Sequence, residues 1–125
     1  MVVTPSAHPY DDTCRRLTEA IERRSLTVFA RIDHAAGARE VGLEMPDEQV
    51  VVFGNARAGT PLMISDPRVG IELPLRVLIW TGEDGVLLGF RDPRELQGAY
   101  VIAGHAQTLE QMASLLAEVV AEAAG

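Results

Sequence analysis

Asp33 and His34 are the adjacent pair with the clearest capacity for acid–base chemistry. Histidine titrates near neutral pH, and a neighbouring carboxylate can orient or charge its imidazole. Adjacent residues on a strand point to opposite faces, so these two side chains can meet only where the strand has ended. The alternative is structural, with Asp33 accepting main-chain N–H bonds at the start of a helix and His34 packing beside it. The spacing favours the structural interpretation.

A glycine-punctuated loop is the second candidate. Gly54 and Asn55 follow an apolar run, and Gly59, Thr60 and Pro61 precede a predicted helix. Free N–H groups at a helix start can bind an anion. The pattern lacks the lysine of a nucleotide-triphosphate loop, because Thr60 follows Gly59 directly. The structural alternative is a turn in which the glycines adopt positive φ and Asn55 tolerates the left-handed region.

Two aspartates, Asp66 and Asp92, each stand before a proline and match helix caps. Either could act as a general base only if a pocket raised its pKa. We expect one pocket between the Gly54–Thr60 loop and the strand end at Asp33 and His34. No catalytic residue is assigned, and the expected ligand-binding set is Asp33, His34, Gly54, Asn55, Gly59, Thr60, Asp66 and Asp92.

Several kinds of chemistry lack the residues they need. His8, His34 and His105 have no partner at helical spacing and no cysteine cluster, so no metal site is predicted. No serine lies in a G-x-S-x-G turn. Cys14 falls on the apolar face of a predicted helix, where it acts as a small hydrophobe rather than a nucleophile. No cofactor is expected.

Composition limits the partners. The 125 residues suit a single domain, residues 1–125, and 47% apolar with 23% charged residues is typical of globular proteins. The net charge of −7 argues against nucleic acid, and aromatic residues at 5% are too few for base stacking. No apolar run approaches a membrane span of about 20 residues, and the start of the chain is too polar for a signal peptide. We therefore predict a soluble cytoplasmic protein.

The periodicity predicts two long helices and five strands. The helices are Pro9–Arg24 and a last helix from Thr108, with Gln111 completing a capping box. Shorter helical pieces are predicted for Ala35–Leu43, for Pro61–Ser65 after a Thr60 cap, and after Asp92. Val69–Leu73 is predicted to be a loop. The predicted strands are Met1–Thr4, Leu26–Ile32, Gln49–Phe53, Leu75–Thr81 and Val86–Arg91.

Three strands carry information about the faces of the sheet. Leu26, Val28, Ala30 and Ile32 alternate and should share one face. Gln49–Phe53 is continuously apolar, which predicts a central strand buried on both faces.

On the strand after Pro74, Leu75, Val77 and Ile79 point one way, and Arg76, Leu78 and Trp80 point the other. The second face should meet a helix, a ligand or another subunit, and a two-layer domain favours the helix.

One long motif carries a resemblance. The string GNARAGTPLM-x-x-DPRVG-x-x-LPL from Gly54 to Leu75, with RIDHA at Arg31–Ala35 and RDP at Arg91–Pro93, resembles the bacterial domain of unknown function 302 family. The resemblance implies an α+β, two-layer domain with the order β-α-β-β-β-β-α, a mainly antiparallel sheet and TATA-binding-protein-like topology. It also implies that the domain often forms a homodimer and that no activity is assigned to the family.

Three functions remain open at this point. The first is a module that binds a small, possibly anionic ligand near the Gly54–Pro61 loop. The second is a ligand-free homodimeric structural or interaction module, motivated by the apolar second face of the strands. The third is a small enzyme with His34 as acid or base beside Asp33 or Asp92.

Overall fold

The computed structural model describes residues 1–125 and contains one antiparallel sheet with strand order β1-β5-β4-β3-β2. The strands are β1 (Val2–Pro5), β2 (Thr27–Asp33), β3 (Glu48–Gly54), β4 (Leu75–Gly82) and β5 (Gly85–Phe90). The α-helices are α1 (Tyr10–Arg23), α2 (His34–Glu40), α3 (Ala56–Ser65) and α4 (Ala106–Ala124), and 3₁₀ helices span Pro67–Glu72, Pro93–Gly98 and Ala103–His105. The α+β class and the predicted order of strands and long helices are confirmed.

The core lies between one face of the sheet and the two long helices. Leu17 and Ile21, one helical turn apart on α1, are fully buried, as are Val51 and Phe53 on β3. Burying each such side chain contributes about 1.5–3 kcal/mol. The last turn of α4 is held by Arg16, whose Nη2 donates to the Glu122 carbonyl at 2.9 Å. That carbonyl lacks a partner within its own helix, so the contact fixes both helices over the sheet.

A bulge in β2 overturns the predicted alternation of that strand. Val28 pairs with Phe53, but the next pair is Ala30 with Val52, so Phe29 has no opposite residue. An extra residue exchanges the two faces for everything beyond it. Val28 packs on the core, whereas Ala30 and Ile32 point away from the helices. The prediction of one shared face was therefore wrong after Val28.

The second face of the sheet carries neither long helix, contrary to the favoured expectation. We call it the open face. Phe29 is 53% exposed and Ile32 is 49% exposed, while Val50 and Leu78 at its centre are only partly buried. β3 is thus fully buried on one face, not on both. By strand register the open face includes Val3, Ala30, Ile32, Glu48, Val50, Val52, Arg76, Leu78, Trp80, Leu87 and Gly89, and the exposed Phe29 of the bulge adjoins them.

Two helix starts and one predicted loop differ from the prediction. Asn55, not Thr60, caps the helix before the first 3₁₀ helix, so α3 begins five residues earlier than expected and contains Pro61. The predicted loop after Val69 belongs to the 3₁₀ helix Pro67–Glu72. α4 begins at Ala106 without a side-chain cap, so the expected capping box at Thr108 does not form.

Candidate functional site

The predicted site residues lie at two ends of the sheet. Asp33 pairs with Gln49 at the start of β3, whereas Gly54 ends that strand. The separation is five residue steps, or about 17 Å at the rise of an antiparallel strand. The single pocket predicted between Asp33–His34 and the glycine loop is therefore not formed, because the two groups lie at opposite ends of the same strand.

Asp33 and His34 have structural surroundings. The Asp33 side chain caps α2, with Oδ1 accepting a bond from the Ala36 N–H at 2.9 Å. His34 is exposed, and its side chain makes no hydrogen bond within the chain. Asp92 lies two residues beyond the last residue of β5, at the end of the sheet opposite His34. An acid–base pair of His34 with Asp92 cannot form in this arrangement.

The glycine loop is a helix start packed against the entrance to β4. Asn55 Oδ1 accepts from the Arg57 N–H at 2.8 Å, so one of the free donors of α3 is already occupied. Gly54 is buried, and a Cβ there would lie 3.6 Å from the Pro74 side chain. A Cβ on Gly59 would lie 3.4 Å from Leu73. Thr60 is an exposed residue within α3.

Asp66 and Asp92 each begin the sequence Asp-Pro-Arg and cap a 3₁₀ helix. Asp66 is buried and accepts bonds from the guanidinium of Arg68 at 2.7 and 3.0 Å and from the Val101 N–H at 3.0 Å. The Arg68 guanidinium and the Val101 N–H hold the pKa of Asp66 far below its usual value. Arg94 likewise lowers the pKa of Asp92. Both aspartates cap 3₁₀ helices, and their lowered pKa values make them weak proton acceptors, which does not suit a general base.

A cavity opens where β4 and β5 separate. Their ladder stops at Leu78 and Gly89, while β4 stays paired with β3 as far as Leu75. We call this space the fork cavity. Its volume is about 320 Å³, and its apolar wall includes Leu73, Leu75, Leu78, Leu96, Met112 and Leu116.

Five charged residues also line the fork cavity: Glu72, Arg76, Arg91, Asp92 and Glu95. Arg94 neutralises Asp92. Arg91 approaches Glu95 only at 4.0 Å, and both side chains are mainly exposed. Arg76 and Glu72 take part in no ion pair. Of the predicted site residues only Asp92 lines this cavity. Gly54 and Gly59 lie behind its wall, against Leu75 and Leu73.

The surroundings of Cys14 disfavour a reactive thiolate. Gln49 Nε2 donates to its Sγ at 3.2 Å and to the Tyr10 hydroxyl at 3.1 Å. Burial raises the pKa of the Cys14 thiol to about 11, so the thiol is protonated at neutral pH. The predicted role of Cys14 as a small hydrophobe rather than a nucleophile is consistent with this packing. No group of three or more His, Cys, Asp and Glu side chains converges as a metal site would require.

This chain matches a family model and resembles known proteins in sequence and in fold. The family model described as "Domain of unknown function DUF302" matches residues 2–122. The fluoride-specific ion channel FluC 1 of Brucella suis biovar 1 is 37% identical over 94 residues, which is 74% of this chain and 37% of that protein. FluC 2 of Brucella melitensis biotype 1 shows the same identity over 35% of its length. The chain thus spans about a third of these relatives, and none of its own helices could cross a bilayer.

A solved structure shows the same fold. The crystal structure of an uncharacterized conserved DUF302 protein from Bacillus stearothermophilus superimposes with a TM-score of 0.87, covering 98% of this chain and 96% of that one. Its sequence identity is 15%, so the likeness concerns the fold alone. Because the family model spans nearly the whole sequence, this chain belongs to the DUF302 family.

Proposed function

We propose that this chain is a binding module for a small organic molecule, with the fork cavity as its site. The observation that carries the proposal is the cavity itself, about 320 Å³ with apolar walls and charged residues among its lining. Small-molecule sites usually measure roughly 300–1,000 Å³ and combine such walls with a few polar groups. None of residues 54–61 lines this cavity, and Gly54 and Gly59 lie behind its wall, against Leu75 and Leu73.

Fluoride is a natural alternative ligand, because the Brucella relatives are named fluoride-specific channels. Two features favour an organic molecule. The cavity is much larger than a halide ion, and most of the residues lining it are hydrophobic. A halide held by the arginines of the lining would leave the apolar walls uncovered, whereas an organic molecule can cover them. Location in the cytoplasm stays a prediction from the sequence.

Filling the fork cavity tests this proposal. Ala99 is exposed and lines the cavity, so Ala99→Trp should place an indole in it without disturbing the core. Ala103→Trp is the matched control, since Ala103 is equally exposed and lies outside the lining. In a thermal-shift screen of metabolites and fluoride, we expect organic hits on the native chain and on Ala103→Trp that vanish with Ala99→Trp. Hits that survive Ala99→Trp, or a response to fluoride alone, would contradict the proposal.

A second candidate function is self-association through the open face. This face carries exposed Phe29 and Ile32 around partly buried Val50 and Leu78, an apolar surface of the kind that marks interfaces. We propose a second copy of the chain as its occupant, because the face has complementary charges. Glu48 and Arg76 take part in no ion pair and lie toward opposite ends of it. A twofold axis across the strands brings Glu48 of each copy toward Arg76 of the other.

Sedimentation velocity at micromolar concentration tests this association. We expect a dimer for the native chain and a monomer for Ile32→Arg, which places a charge on the open face. Ile64→Arg is the control, because Ile64 is 79% exposed on α3 and outside that face, and it should remain dimeric. A monomeric native chain, or loss of the dimer in both variants, would overturn the candidate.

A further inference from the structure

We infer that the ligand of the fork cavity is an amphipathic monocarboxylate, with its head group between Arg76 and Arg91 and its apolar part against Leu96, Met112 and Leu116. The inference rests on the proposed binding function and names the ligand class. It begins with the strand register. Leu78 pairs with Gly89, so Arg76 and Arg91, two positions further on, would face each other if the ladder continued.

The two arginines both line the fork cavity. Arg76 lies within β4 and shares the open face with Leu78, whereas Arg91 directly follows the last residue of β5. No main-chain hydrogen bond joins Arg76 to Arg91. Like charges that line one cavity repel each other, and an anion placed between them removes that repulsion. Arginine also matches the planar, two-oxygen geometry of a carboxylate.

The acidic residues of the cavity limit the charge of the ligand. Arg94 forms an ion pair with Asp92. The other two carboxylates that line the cavity with the two arginines are those of Glu72 and Glu95. Glu95 lies 4.0 Å from Arg91, too far for a strong contact and close enough to partly offset its charge. A phosphate with two negative charges would meet these carboxylates, whereas a single carboxylate needs only the two guanidinium groups. The chain's net charge of −7 disfavours multiply charged anions in the same way.

The apolar inner wall of the fork cavity indicates the chemistry of the rest of the ligand. Met112 is 6% exposed and Leu116 is 1% exposed, so the inner wall comes from the buried face of α4. Leu96, on the second 3₁₀ helix, faces the same space. The water-accessible part of the apolar wall includes the half-buried Leu73, Leu78 and Leu96, which a ligand that satisfies only the arginines would leave in water. An alkyl or aromatic body attached to the carboxylate covers these leucines.

Calorimetric titration with octanoate, octanol and octylamine compares three head groups on the same alkyl chain. We expect octanoate to bind at least about tenfold more tightly than octanol, as charge-assisted bonds to arginine allow. Arg76→Gln and Arg91→Gln should each bring octanoate close to octanol without changing the affinity for octanol. Arg57→Gln is the control, because Arg57 is exposed on α3 and does not line the cavity.

The outcomes separate the ligand class from the proposed function. If octanol binds as tightly as octanoate and Ala99→Trp abolishes both, the cavity binds ligands but the carboxylate inference fails. Tighter binding of octylamine overturns the inference as well and assigns the head group to Glu72 and Glu95. If none of the three binds and the metabolite screen gives no hit that Ala99→Trp removes, the proposed function fails with it.

Discussion

At the scale of single residues, Asp66 is the charged group most tightly built into the fold. Its carboxylate joins the first 3₁₀ helix to the segment at Val101, through four hydrogen bonds from Arg68 and Val101. Because these bonds favour the ionised form, the folded-state pKa lies below the unfolded value. The resulting stabilisation is present above an ordinary aspartate pKa of about 3.9 and is lost as the pH falls toward the folded value.

We therefore expect Asp66→Asn to lower the Tm by roughly 5–10 °C at neutral pH, since charge-assisted bonds to a buried acceptor are lost. The difference from the native chain should shrink as the pH falls below about 4. Asp92 and Glu122, whose pKa values are also lowered, keep some acid sensitivity in the variant. Differential scanning calorimetry from pH 2 to 8 makes the comparison, with Asp84→Asn in the exposed hairpin turn as control. A constant Tm difference across this range would contradict the account.

At the scale of secondary-structure elements, the start of α3 distinguishes two capping residues. Asn55 accepts a bond from the Arg57 N–H, whereas Thr60 is an exposed residue inside the helix. Asn55→Ala should lower the free energy of unfolding by about 1 kcal/mol, the usual value of an asparagine cap. Thr60→Ala should leave it nearly unchanged or raise it slightly, because alanine is the better helix former. Urea denaturation of both variants measures the two free energies of unfolding. A larger decrease for Thr60→Ala than for Asn55→Ala would contradict a start of α3 at Ala56.

Hydrophobic periodicity was sufficient to predict the five strands and two long helices, because each must bury one face. It failed where a local feature had no apolar signature. The bulge at Phe29 reversed the faces of β2, although the sequence alternates without interruption through that point. At α3, the Thr60-Pro61 pair matched a cap followed by proline, but Asn55 capped the helix one and a half turns earlier. Proline within the helix gave a false boundary there.

At the scale of the whole molecule, the candidate site was the least predictable part. The cavity is assembled from Met1, Val50 and residues within 72–78, 89–99 and 112–116, and it opens where β5 leaves β4 after Gly89. No motif marks that separation. The sequence did place Arg76 on the second face of its strand. It could not indicate that Asp33 and His34 lie at the opposite end of β3.

The two proposed functions share Arg76, which lines the fork cavity and lies on the open face. A carboxylate bound to Arg76 would compete with Glu48 of a second copy, so saturating octanoate should weaken the dimer. By linkage, dimerisation should weaken octanoate binding by the same factor. Sedimentation equilibrium with and without octanoate measures the effect, with octanol as the uncharged control. An unchanged or tighter dimer in octanoate would show that Arg76 does not serve both contacts.

The most direct test of the fork cavity as the binding site uses the four methionines as reporters. Met112 lies in the cavity wall and Met1 at its edge, while Met45 and Met63 lie outside the lining. With methyl-labelled methionine, NMR titration with octanoate should shift the Met112 signal saturably and leave Met45 in place. Binding that moves Met45 or Met63 but not Met112 would contradict the account and place the ligand elsewhere.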